Sequence, residues 1–107
     1  MAERWTTDEV GVLFEAAYWP ILRSQIAGVD FVKAEALRAA ESKLPGRTHH
    51  TIKDRCYRIS EVLRDEGLPW VRGWNPPDEV GQTPNTAGVT MVIREAVLPL
   101  ARSHLKA

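Results

Sequence analysis

One cysteine, Cys56, stands alone in the chain, so no disulfide can form within it and a reducing compartment is expected. No apolar run is long enough to cross a bilayer, no like-charge block stands out, and no repeat recurs at solenoid spacing. The opening Met-Ala-Glu-Arg-Trp lacks a signal-peptide pattern, which sets the expectation of a cytoplasmic protein, nucleoid-associated if the host is a bacterium or phage. No strand is predicted, and with it goes any Gly-rich phosphate loop of the strand-loop-helix kind. Net charge is missing too: 14 Lys or Arg balance 14 Asp or Glu over 107 residues. What remains is a single small domain, all-α, with no membrane partner.

Metal and nucleophile chemistry are also poorly served. There is no Cys-x-x-Cys or His-x-x-x-His pair, and His49 and His50 are neighbours, about 100° apart on a helix. Cys56 lies on an apolar stripe between Ile52 and Ile59, where a buried, inert thiol is expected. No metal site, no cofactor and no enzyme activity are expected.

What is present is an uneven charge distribution. Residues 1–42 carry four Lys or Arg against seven Asp or Glu, whereas residues 43–64 carry six against two. The stretch "KLPGRTHHTIKDRCYRIS" alone holds five of those cations. A solvated helix face would show such a cluster, but so would a surface that meets phosphates.

The helical pattern is legible in segments. "TTDEVGVLFEAAYW" opens with Thr6 or Thr7 as cap, capping-box spacing from Thr6 to Glu9, and Trp5 placed as a hydrophobic staple. Val10, Leu13, Phe14 and Ala17 give it one apolar face. Pro20 either kinks this helix or starts a short one, "PILRSQIA", ended by Gly28. A second helix is expected after Asp30, with Phe31, Ala34, Leu37, Ala40 and Leu44 as its buried stripe, stopped by Pro45-Gly46. A third runs from its cap Thr48 to about Leu63. There Ile52, Cys56, Ile59 and Leu63 face inward, while His49, Lys53, Arg55 and Arg58 lie off that face.

Residues 65–87 read as a Pro-, Gly- and Trp-rich arm, with Trp70 and Trp74 pinning it to the body in preference to stacking on nucleic-acid bases. Residues 88–107 form a last helix whose apolar face, Val89, Val92, Ile93, Ala96, Val97 and Leu100, exceeds what a cap on a small core needs. It is the expected homodimer or partner surface, over 88–105, the alternative being that Trp70 and Trp74 fold it back onto its own domain; Pro99 is expected to kink it or end its first part.

Two motifs carry a family resemblance. "RWTTDEV" resembles the opening of a Myb/SANT-like repeat, and "LPGRTHHTIKDRC" resembles the approach to that family's recognition helix. The resemblance spans about residues 4–60. It implies a three-helix helix-turn-helix core over residues 1–64, here with an insertion between helices 1 and 2, that binds duplex DNA with helix 48–63 in the major groove. It further implies that Lys53 stands at the base-contacting lysine and Asp54 at the base-contacting asparagine. Arg47 matches the turn arginine, and Trp5 and Cys56 match the first and third core tryptophans. The DNA-binding set expected on this basis is Arg47, Thr48, His49, His50, Lys53, Asp54, Arg55 and Arg58. Asp54 departs from the family pattern: a carboxylate accepts from cytosine N4 but cannot make the amide pair with adenine, unless it orients Arg55 or Arg58 instead. The expected function is that of a small, sequence-specific transcriptional regulator. The alternative is a SANT-like module that binds another regulator protein.

Overall fold

The computed structural model describes residues 5–76 and 84–106, with side chains of the last helix described from Thr90 onward. Among these residues every regular element is a helix and there is no strand. The first helix opens on a complete capping box: Thr6 Oγ1 accepts from the Glu9 N–H at 3.1 Å, and Glu9 Oε1 accepts from the Thr6 N–H at 3.0 Å. Trp5, just outside the cap, is buried.

Helix α1 (Thr7–Leu13) continues through a π-helical segment (Phe14–Tyr18) into α2 (Trp19–Ala27). Pro20 therefore does not open a separate helix; the first helix continues past it. Its ring would press on the Ala16 carbonyl in a regular ladder, and it has no N–H to donate. The π turn, in which the Trp19 N–H reaches the Phe14 carbonyl, accommodates it. "PILRSQIA" thus lengthens the first helix ahead of α3.

Helix α3 (Lys33–Lys43) begins later than the sequence suggests, with Val32 at the cap position and no side-chain cap bond. Asp30 is not its cap. Phe31 lies ahead of the first turn, where helical spacing does not apply, and it is exposed, as is Ala34. Leu37, Ala40 and Leu44 are buried as expected. The chain then turns through Leu44–Arg47, closed by the Arg47 N–H to the Leu44 carbonyl at 3.1 Å. Pro45 suits the second position of such a turn, and Gly46 supplies the φ of 86° that the third requires.

Helix α4 (His49–Asp65) starts at Thr48, whose hydroxyl accepts from the Thr51 N–H at 3.2 Å. Its inner face, Ile52, Cys56, Ile59 and Leu63, is fully buried together with Val62. Burial pushes the Cys56 thiol pKa far up, so the thiol stays protonated and unreactive.

Beyond α4 the arm returns across the body. Val71 and Trp74 are buried, and Trp70 is half-buried. The Tyr18 hydroxyl, buried against Ser60 Oγ at 2.6 Å, accepts from the Val71 N–H at 2.9 Å. The Gln25 amide clamps the next residues, donating to the Trp70 carbonyl and accepting from the Arg72 N–H. Lys33 Nζ donates to the Arg72 carbonyl at 2.8 Å. Residues 77–83 of the expected arm lie outside the described residues.

Helix α5 (Pro84–Leu105) starts earlier than expected, with Pro84 at its first position, and runs on through Pro99. Much of its apolar face is taken up within the chain. Ile93, Ala96, Val97, Leu98 and Ala101 are buried, and the helix packs on α1 and α4 of its own chain. Glu66 receives Arg94 at 2.8 Å and Arg102 at 2.7 Å, and the His104 ring stacks on Trp19 at 4.5 Å. The sequence-based expectation of a broad exposed patch fails because α1 and α4 need a third wall. Val89, also assigned to that face, lies among the side chains outside the description.

Candidate nucleic-acid interface

The cations expected to act together separate into two groups. Arg47 turns inward. Its Nε and Nη2 each lie 2.8 Å from a Glu9 carboxylate oxygen, and the guanidinium sits 5.0 Å from the centre of the Trp5 ring. Only 11% of its side chain is exposed. The Arg47 ion pair holds the Glu9 carboxyl well below its ordinary range, at about 2, with the Thr6 N–H helping. Arg47 is thus a clamp between the start of α1 and the turn before α4.

Arg55 also folds back. Its guanidinium lies 5.7 Å from the Trp5 ring centre, and Nη1 donates to Asp54 Oδ2 at 3.1 Å. Burial draws its pKa below the ordinary value, opposed by the Asp54 charge. Arg55, expected to lie largely off the inner face, is drawn part-way in by the Trp5 ring, which both guanidiniums approach. Of the two arginines that Asp54 could pair with, it meets Arg55.

Thr48 is exposed and occupied in capping α4, and His49 leans toward Glu41, Nδ1 to Oε1 at 3.7 Å. The remaining residues meet on one surface. His50, Lys53, Asp54, Tyr57 and Arg58 of α4, with Asn75 from the arm, line an open groove of about 500 Å³. The α4 members recur at three and four positions, so they occupy one outer face opposite Ile52, Cys56 and Ile59. Arg58 Nη1 lies 3.8 Å from the buried Glu61 Oε1, an electrostatic contact longer than a hydrogen bond.

Chemically the groove is mixed. Lys53 and Arg58 supply positive charge, and His50 an imidazole. Asp54 offers acceptors, Asn75 an amide, and Tyr57 an aromatic face. Sequence reasoning missed Tyr57 and Asn75. Tyr57 was within reach, four residues past Lys53 and seven past His50. Asn75 had no local signal, because only the return of the arm brings it beside α4.

His49, His50, Cys56 and His104 do not converge, and no group of His, Cys, Asp or Glu among the described residues is placed to hold a metal ion. No helix among the described residues is long and apolar enough to cross a membrane. No protein-family model matches the chain, nor does any curated protein or solved structure compared with it.

Proposed function

We propose that the protein binds duplex DNA with sequence preference through the outer face of α4, as a small transcriptional regulator would. The observation that carries this reading is the convergence of His50, Lys53, Asp54, Tyr57 and Arg58 on one open groove at the exposed side of a basic helix. Such a helix has the width for a major groove, and its residues mix phosphate-binding cations with groups able to read base edges. Because Arg47 and Arg55 are tied to partners within the chain, the electrostatic footprint is small. Neutralising about two or three phosphates gives a slope of log K against log salt of roughly −2 to −3.

The test is selection from a random duplex pool, followed by titration of the selected duplex at several salt concentrations. Enrichment of one motif, with binding weakened by Lys53→Ala and Arg58→Ala in a folded protein, supports the reading. A pool that yields no motif, with any residual binding indifferent to salt, overturns it. The second reading, a SANT-like protein-interaction module, is favoured by one feature. Asp54, Tyr57 and Asn75 give the groove a mixed, partly aromatic lining of the kind that suits a peptide.

A further inference from the structure

Of the six residues lining the groove, five come from α4 and one does not. Asn75 belongs to the arm, and its position is set by what flanks it. Trp74 on one side is 2% exposed, with its ring 5.7 Å from that of Tyr18. Pro76 on the other side is also buried. Upstream, the Trp74 N–H closes a turn onto the Val71 carbonyl, and Val71 itself is held by the Tyr18 hydroxyl. Gly73 has a φ of 98°, and a Cβ there would overlap Lys33 Nζ. The turn is therefore held at Val71 and Trp74, and the exposed Asn75 is carried on that backbone. Its side chain is oriented as well, because Oδ1 accepts from the Gly73 N–H at 3.2 Å. That bond engages Oδ1 and leaves the Nδ2 donors for another acceptor.

We infer that Asn75 is a specificity-determining residue of the α4 interface, its Nδ2 donating to an acceptor on a base edge beside the one met by Lys53. This rests on the DNA-binding reading above. The chemistry fits a division of labour. Asp54, on the helix, can only accept, whereas a purine's outer edge and thymine O4 present acceptors that need a donor. Lys53 supplies a charged donor and Asn75 a neutral one, fixed by the fold and adding no pull on phosphates.

Three variants of the full chain test this on the duplex that the wild type selects. Asn75→Ala should lower affinity for that duplex about tenfold while leaving random-sequence binding and the salt slope unchanged, since no charge is lost. Asn75→Asp keeps an oxygen for the Gly73 N–H, so the turn should persist, yet it removes the donors and should abolish the preference at one base position. A purely structural role for Asn75 predicts the opposite order, with Asp tolerated and Ala harmful to both kinds of binding. Lys53→Ala serves as the control for the interface. If it weakens binding while both Asn75 variants keep wild-type affinity and motif, the inference is overturned and the DNA-binding reading stands. If the wild type selects no motif and Lys53→Ala changes nothing, both are overturned.

Discussion

Arg47 and Glu9, 38 positions apart in the chain, form a two-pronged ion pair beneath which the Trp5 ring lies buried. The same Glu9 carboxylate completes the capping box with Thr6, so one side chain caps the start of one helix and ties it to the turn before another. Replacing Arg47 with Ala leaves Glu9 without its main partner and uncovers Trp5. The expected loss is about 1–3 kcal/mol of stability, read by urea or thermal unfolding. Duplex affinity of the folded variant should change little. A stable Arg47→Ala protein that has lost DNA binding would reverse this assignment.

Glu9 also predicts an acid response. Its folded pKa, about 2, lies below its ordinary value of 4.5, so the ionised form favours the folded state. The contribution is complete above the ordinary value and is lost as pH falls through that window toward about 2. Glu66, lowered by Arg94 and Arg102, adds a contribution of the same sign. In unfolding series between neutral and acid pH, the stability gap between wild type and Glu9→Gln should close progressively below the ordinary carboxylate range. A gap that stayed constant into acid would mean the ion pair contributes nothing through ionisation.

The arm hangs on Tyr18. Tyr18→Phe removes the hydroxyl that accepts from the Val71 N–H and meets Ser60 Oγ, leaving a buried N–H unpaired at a cost of about 1–3 kcal/mol. Hydrogen exchange at the Val71 amide should accelerate far more than exchange within α4. Equal protection at Val71 in both proteins would show that Gln25, Lys33 and Trp74 hold the arm without it.

Asp54 places a negative charge at the edge of the groove, with Arg55 as its partner. Asp54→Asn removes that charge while keeping a hydrogen-bond acceptor for Arg55. Duplex affinity at low salt should rise about two- to tenfold, and preference should move toward adenine at the contacted position. Titration and reselection with the variant check both. Unchanged affinity and motif would place Asp54 away from the DNA.

Removal of α5 should unfold the chain. Ile93, Val97 and Ala101 are buried against α1 and α4, and loss of the helix exposes that whole wall. A chain ending near Gln82 is expected to lose its cooperative unfolding transition. A truncated protein that unfolds cooperatively would restore the view that α5 is an add-on surface.

The local pattern of the sequence was enough for the all-helical class, the Thr6–Glu9 box, the Thr48 cap and the inner face of α4, because each depends on residues within a turn or two of one another. Trp5 and Trp74 were likewise legible as buried, since their apolar area leaves few other places for them. The same local logic could not choose between the two readings of Pro20, where a single π turn lets a helix continue, and it misjudged Phe31, which precedes the helix whose face it was assigned to. What only tertiary structure decided depends on partners distant in the chain. Whether Arg47 meets a phosphate or Glu9 turns on how α1 approaches the turn before α4, and periodicity holds no record of that distance. The apolar face of α5 would look the same on a dimer helix as on a core helix; that α1 and α4 bury Ile93, Val97 and Ala101 is visible only in three dimensions. Asn75 reaches the groove only because Tyr18, Gln25 and Lys33 draw the arm back across the body. Charge pairing, wall closure and arm docking are set by three-dimensional proximity, and a linear pattern specifies proximity only within a helix turn.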